Sequence, residues 1–390
     1  MRLRTGQVLR VVTAAVVLTG TSLVTSSCGN FFVCEGKPAC PSSGGGSGSG
    51  AGTGDYVYVS NSSSSATSLT AFNASTGSPV ALSASPISLG YSTNAMAMKS
   101  DNTLLFASSL ANSAIYAYSI SSAGGLTNPN GTQAVLNSAA LAMDISPDGK
   151  YLYVLTGNGT YVLQEFSIGT NGVLTPGAAL PLLLVNGTAA VVKVAPTSNF
   201  LVVAMGTAGD EIVPLSSDLF NTGSVNPSTI PEPTGSVGDF GVAIDANNNI
   251  YLARTGTIAV YSATSNGVPA PVSNTTANAQ TGTGDHSIVI AGSYLYVANQ
   301  SASAANGTIS GFSFTAGGVL TPLSGSPYNA PADVDQLVVD NTGKYIVAAG
   351  AGATGIEEFA IGTSGALTAS STTAATGSSG SAALVMVATH

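Results

Sequence analysis

From Asp55 onward, apolar residues alternate with small or polar ones in short runs, and the runs come in pairs separated by glycine. Phe166–Pro176 (FSIGTNGVLTP) sets the pattern, and Tyr118–Asn128 (YSISSAGGLTN), Phe312–Pro322 (FSFTAGGVLTP) and Phe359–Ala369 (FAIGTSGALTA) repeat it. A period of two is the signature of a β-strand, and a glycine between two such runs supplies the positive φ of a tight hairpin turn. A second hairpin precedes it. Leu141–Thr156 (LAMDISPDGKYLYVLT) reads as strand, Ser-Pro-Asp-Gly turn, strand, and related stretches recur as AMKSDNTLLFASS, VKVAPTSNFLVVAM, VAIDANNNIYLAR, IVIAGSYLYVAN and LVVDNTGKYIVAAG.

Aligned on Tyr153, the copies place Tyr58, Phe106, Tyr153, Val202, Tyr251, Tyr296 and Val347 at one repeat position, at spacings of 48, 47, 49, 49, 45 and 51 residues. Seven four-stranded units at this period predict an all-β fold, a seven-bladed β-propeller with four antiparallel strands per blade. The first copy, DYVYVSN, begins at its second strand, and the absent opening strand is matched by AALVMVATH (Ala382–His390) at the other end of the chain. The C-terminal strand is therefore expected to pair into the first blade and close the ring, which removes open sheet edges. His390 itself, as the last residue, is expected to fray. An outer-membrane barrel needs aromatic girdles at the strand ends. This chain has no Trp, and its aromatics cluster at one repeat position.

The N-terminal residues change the picture of where the protein works. Arg2, Arg4 and Arg10 precede a small apolar run, Val11 to Val24, and then Ser26 and Ser27. This is the pattern of an export signal over residues 1–27, and the apolar run is too short for a spanning helix of about 20 residues. All three cysteines follow. Cys28 stands after LVTSS, close to a lipobox, with Thr25 where Leu is usual. Lipidation at Cys28 would leave Cys34 and Cys40 as an even pair, and an oxidising compartment favours a disulfide between them. A Gly/Ser-rich tether completes residues 28–54 and leaves 55–390 for the propeller. The expected location is exported and membrane-anchored, facing the periplasm or the cell exterior.

Charge narrows the partners. Beyond Cys28 stand all 18 acidic residues and only six of the nine basic ones, a balance of 6 − 18 = −12. No basic cluster exists to neutralise phosphates, so nucleic acid is not an expected partner. The expected partners are the membrane, through the lipid, and a small-molecule or protein ligand, with the chain itself a monomer. The apolar fraction of 44% is that of a packed fold rather than a disordered one.

Repeats of the form SPDGKYLYV…FSIGTNGVLTP resemble the seven-bladed lactonase-type propeller family, which includes 6-phosphogluconolactonases and muconate-lactonising enzymes, and they are similar to surface propellers built of Tyr-Val-Thr-Asn repeats. The resemblance covers about Asp55 to His390. It implies a histidine just before a blade's first strand, which here only blade six supplies, at Asp285-His286 of GDHSIVI. It also implies arginines in the central cleft, where this chain offers Arg254, the only arginine after the N-terminal segment.

In a propeller, the loops before the inner strands and after the second strands face one end of the channel. Asp239 enters blade five, Asp285 and His286 enter blade six, Asp333 and Asp335 enter blade seven, and Arg254 follows the second strand of blade five. Three readings stay open. His286 serves as general base with Asp285 orienting it, while Arg254 holds an oxyanion or a carboxylate. Alternatively Asp239, Asp285 and Asp335, with Asp333 nearby, hold a divalent cation such as calcium. In the third reading these are turn residues bonding their own backbone. No cofactor is otherwise indicated. The function expected from the sequence is a ligand- or partner-binding module on the cell envelope, or else a lactonase-type hydrolase or isomerase acting on a small lactone or carboxylate. SPDGK (Ser146–Lys150) lacks the acids of a calcium loop and reads as a turn. The Asn-Gly-Thr triplets at Asn130, Asn158, Asn186 and Asn306 read as turns or as glycan acceptors.

Overall fold

A computed structural model describes residues 54–390 apart from 62–66, 129–130, 158, 186, 188–190, 221–226, 233–238, 255, 266, 273–283, 301–306, 351–354, 371–373 and 376–383. The side chains of Asp239, Phe240, Asp285 and His286 are also outside the description, although their backbone is within it. The expected export signal, the three cysteines, the tether up to residue 53 and the four Asn-Gly-Thr asparagines all lie outside the described residues.

Seven antiparallel sheets follow one another along the chain, each ordered inner, second, third and outer strand. In blades one, two, four, six and seven the outer strand is broken into two short pieces, both paired with the third strand. The second strands run Tyr56–Asn61, Leu104–Ser109, Tyr151–Gly157, Phe200–Ala204, Asn249–Arg254, Tyr294–Gln300 and Tyr345–Gly350, and each carries its expected repeat residue. These strands are apolar on both faces because both faces are covered by neighbouring blades. Phe200–Ala204 is buried throughout, and in Tyr151–Gly157 only the two ends are half-buried. The core is accordingly a set of layers between blades rather than one central mass. Phe106 and Val154 share one layer, Tyr153 and Val203 the next, and Val202 and Leu252 the one after.

The repeat position does more than fill these layers. Tyr58, Tyr153 and Tyr296 are fully buried, and each hydroxyl reaches the turn between third and outer strands of the next blade. Tyr58 donates to the Gly124 carbonyl at 2.9 Å, Tyr296 to the Gly365 carbonyl at 2.7 Å, and Tyr153 to the Asp218 carbonyl. A buried hydroxyl needs a partner, and a turn carbonyl at the blade interface provides one. Blade five solves the same problem differently. Tyr251 donates to Asp245 in its own blade at 3.1 Å, and Asn249 Nδ2 crosses to the Ala316 carbonyl of blade six at 3.0 Å.

The ring closes as expected. Leu384–Ala388 forms the inner strand of blade one and pairs antiparallel with Tyr56–Asn61, with Val387 opposite Tyr58. Thr389 extends the closure, since its hydroxyl accepts from the Tyr56 N–H at 2.8 Å and donates to the Gly54 carbonyl at 3.0 Å. His390 does not fray. Its N–H donates to Asn102 Oδ1 at 3.0 Å, and Asn102 Nδ2 returns a bond to its carbonyl at 2.6 Å. The Asn102 side chain can make this two-way clasp because the residue sits at a left-handed turn, φ 59°, in blade two.

Candidate functional site at the channel mouth

Inner strands present one edge to the channel, and their unpaired backbone groups need partners. Side chains of preceding blades supply several. Asn94 Nδ2 donates to the Ala140 carbonyl of blade three, and Asp144 Oδ2 accepts from the Val194 N–H of blade four at 2.7 Å. Ser287 Oγ accepts from the Leu337 N–H of blade seven at 3.1 Å. Burial raises the Asp144 carboxyl to about 7, against the opposing pull of Lys193 and of two backbone N–H donors. These polar groups therefore work within the wall.

A local irregularity recurs where the chain enters the inner strand. The register with the second strand shifts between Ala140 and Ala142 in blade three, Asp239 and Gly241 in blade five, Asp285 and Ile288 in blade six, and Val334 and Gln336 in blade seven. The residues at the shifts are Leu141, Phe240, His286 with Ser287, and Asp335. A β-bulge leaves a residue outside the ladder and re-aims its side chain, and bulges are over-represented beside active sites. His286 and Asp335 thus hold equivalent bulge positions in neighbouring blades. The inner strands of blades five, six and seven, Asp239–Ile244, Gly284–Ala291 and Val334–Val339, are adjacent around the channel.

Each candidate residue can now be placed. Asp239 lies opposite Arg254 in the ladder of blade five, and Asp285 lies opposite Asn299 in blade six. Asp333 stands just ahead of the inner strand of blade seven with φ 49°. It passes close to Gly350, where a Cβ would sit 2.2 Å from the Ala332 carbonyl oxygen. Asp335 is buried in the inner strand. The backbone brings Asp239 beside Arg254, whereas Asp333 and Asp335 belong to the far side of the three-blade arc. Among the described residues no three His, Cys, Asp or Glu side chains form a group able to hold a metal ion. The expected calcium ligands Asp239 and Asp285 have side chains outside that description.

Arg254 has a neighbourhood that its repeat position does not reveal. It is the last residue of its strand, only 7% exposed, and faces two carboxylates of blade four. Nη2 lies 3.7 Å from Asp210 Oδ2, and Nε lies 3.5 Å from Glu232 Oε2. Asp210 opens the third strand of blade four and is fully buried, and Glu232 follows that blade's outer strand on the way to blade five. Gly209 makes the approach possible. Its φ of 94° and the 2.4 Å that would separate a Cβ from the Ile230 carbonyl oxygen exclude any other residue there. Asp210 and Glu232 were the residues hidden from sequence reasoning. The one available signal was that Asp210 follows a loop after a second strand, the class of loop that faces this end.

No protein-family model matches the sequence, and no curated protein matches it. Solved structures do. A protein from Bacteroides fragilis NCTC 9343 described as a candidate 6-phosphogluconolactonase superposes with a TM-score of 0.65 at 17% identity, over 86% of this chain and 98% of that one. The periplasmic gluconolactonase of Pseudomonas aeruginosa gives 0.65 at 17% identity, over 86% and 99%. A functionally unknown protein from Desulfotomaculum acetoxidans DSM 771 gives 0.64 at 16%, over 87% and 99%. The chain has the lactonase-type seven-bladed propeller fold. At these identities the likeness concerns the fold, and within this lactonase-type ring the chemistry has to be argued from the mouth itself.

Proposed function

We propose that this chain is a binding module of the cell envelope: exported, held to the membrane through a lipid on Cys28, and receiving a ligand at the channel mouth between blades four and seven. The observation that carries this reading is the pairing of Arg254 with Asp210 and Glu232. A hydrolase acting on a lactone or carboxylate needs donors aimed at the developing oxyanion, and arginine is one of the groups able to supply them. The only arginine beyond the N-terminal segment is committed to two buried carboxylates, and the rest of this arc contributes Asp239, Asp285, Asp333 and Asp335 beside His286. Such a mouth favours a neutral or cationic polar ligand over an anionic one.

Lactone hydrolysis is the second reading, and two observations favour it: the bulge that carries His286 beside Asp285, and the names of the similar structures. The two readings separate in one assay. The purified protein is given glucono-δ-lactone and 6-phosphogluconolactone, and its melting is followed with and without 6-phosphogluconate. A binding module with an acidic mouth leaves both lactones at their background rate and does not respond to the phosphorylated acid. Turnover that disappears in His286→Ala would establish the hydrolase instead.

A further inference from the structure

Three carboxyl groups meet where blade seven adjoins blade one. Asp55 is the residue before the second strand of blade one and is 5% exposed, Asp340 lies in the turn between inner and second strands of blade seven at 3%, and Glu358 lies in that blade's third strand at 0%. Asp340 is tied into its own turn, accepting from the Lys344 N–H at 2.7 Å and the Tyr345 N–H at 2.6 Å. The next residue of that turn, Asn341, donates its N–H to Asp55 Oδ1 at 3.2 Å, so the turn joins the two blades. Both oxygens of Glu358 are buried with no hydrogen-bond partner among the described residues, and Asp55 Oδ2 has none apart from the Asp340 carboxyl beside it.

Among the described residues, the surrounding charged groups offer no compensation. Lys344 is exposed and contributes its backbone N–H. Tyr56 and Tyr58 direct their hydroxyls to the Ser122 and Gly124 carbonyls of blade two. His390 has its Nδ1 by the Ala388 carbonyl oxygen. Burial, and then the charge of Asp340, raise Asp55 well above the carboxylate range, and burial followed by the charges of Asp55 and Asp340 raises Glu358 to about 8. The three side chains do not form a metal-binding group. A buried carboxylate without a cation or donors is strongly disfavoured, and it takes up a proton instead.

We infer that the junction between blades seven and one is a proton-held latch: Asp55 and Glu358 are buried beside Asp340 with no compensating cation among the described residues, and the ring closure loosens when Asp55 and Glu358 are deprotonated. Groups raised in the folded state bind protons that the unfolded chain has already released. The contribution of Asp55 and Glu358 to stability is complete below their unfolded values, near 4, and is lost as pH rises through the folded ones, about 7 for Asp55 and about 8 for Glu358. The latch is therefore tight in mild acid and slack in mild base.

The test is thermal melting of the full chain from pH 5 to pH 9 beside Glu358→Gln and Asp55→Asn, with hydrogen exchange corrected for its intrinsic pH dependence. Wild type is expected to melt several degrees lower at pH 9 than at pH 5. At high pH, exchange in Leu384–Ala388 and Tyr56–Asn61 should accelerate more than in Asn249–Arg254 of blade five, whereas blade three carries the raised Asp144 and is no control. Glu358→Gln should lose a large part of that fall. Should either variant fail to fold, the comparison between strands within wild type decides alone. A wild-type melting temperature that holds or rises, an equal acceleration in blade five, or an undiminished fall in Glu358→Gln would overturn the latch. Calcium that restores wild type at pH 9 but not Glu358→Gln would also overturn it, because a cation would then occupy the place assigned to protons.

Discussion

The Tyr296 hydroxyl donates to the Gly365 carbonyl at 2.7 Å, joining blade six to blade seven through residues 69 positions apart. Tyr58 and Gly124 make the same contact 66 positions apart, between blades one and two. Where the repeat position holds Phe106, Val202 or Val347 the contact has no donor. Tyr296→Phe keeps the ring and removes one buried bond, at a cost of about 1 kcal/mol. Tyr296→Ala also opens a cavity and should cost about 3–5 kcal/mol. Chemical denaturation of the two variants against wild type checks the order. A Tyr296→Phe variant as stable as wild type would show that the hydroxyl contributes nothing.

Closure by the last strand gives a second expectation. Removing Ala382–His390 exposes the edge of Tyr56–Asn61 and deletes the Thr389 and His390 contacts with Gly54, Tyr56 and Asn102. Because each blade is stabilised by its neighbours, the loss should lower the melting temperature of the whole ring rather than of blade one alone. A truncated protein with unchanged melting would exclude the closure.

Breaking the Arg254 network leaves two buried carboxylates facing each other. Removal of one partner of a buried ion pair costs about 3–5 kcal/mol, so Arg254→Met should be strongly destabilised. The triple change with Asp210→Asn and Glu232→Gln should recover much of the loss. A stable Arg254→Met would mean that the arginine is not structural, and would return it to the pool of ligand-binding groups.

Cys28→Ser bears on the anchor. In the native host the wild-type protein is expected in the membrane fraction and the variant in the soluble extracytoplasmic fraction, read by fractionation and by the mass of the N-terminal peptide. Membrane retention of Cys28→Ser would remove the lipid from the account.

The fold was legible because its repeat is a packing unit. Every second strand is covered on both faces, so each copy keeps an apolar run and a buried residue at the Tyr153 position whatever happens in its loops. The mouth was legible only in part. The repeat places His286 and Asp335 where the chain enters a blade, but a register shift leaves no mark in an alternating pattern. Arg254 looked available because its partners lie outside its own blade: Glu232 sits in a segment that does not repeat, and Asp210 depends on the left-handed Gly209. The His390 clasp was missed for a similar reason, since it depends on the turn at Asn102 rather than on chain position.

A mouth that binds its ligand without hydrolysing it should show no lactone turnover. The most direct measurement is the rate of glucono-δ-lactone and 6-phosphogluconolactone hydrolysis by the wild-type protein and by His286→Ala, each against buffer. Both proteins should match the background rate. Saturable turnover in wild type that is lost in His286→Ala would contradict it.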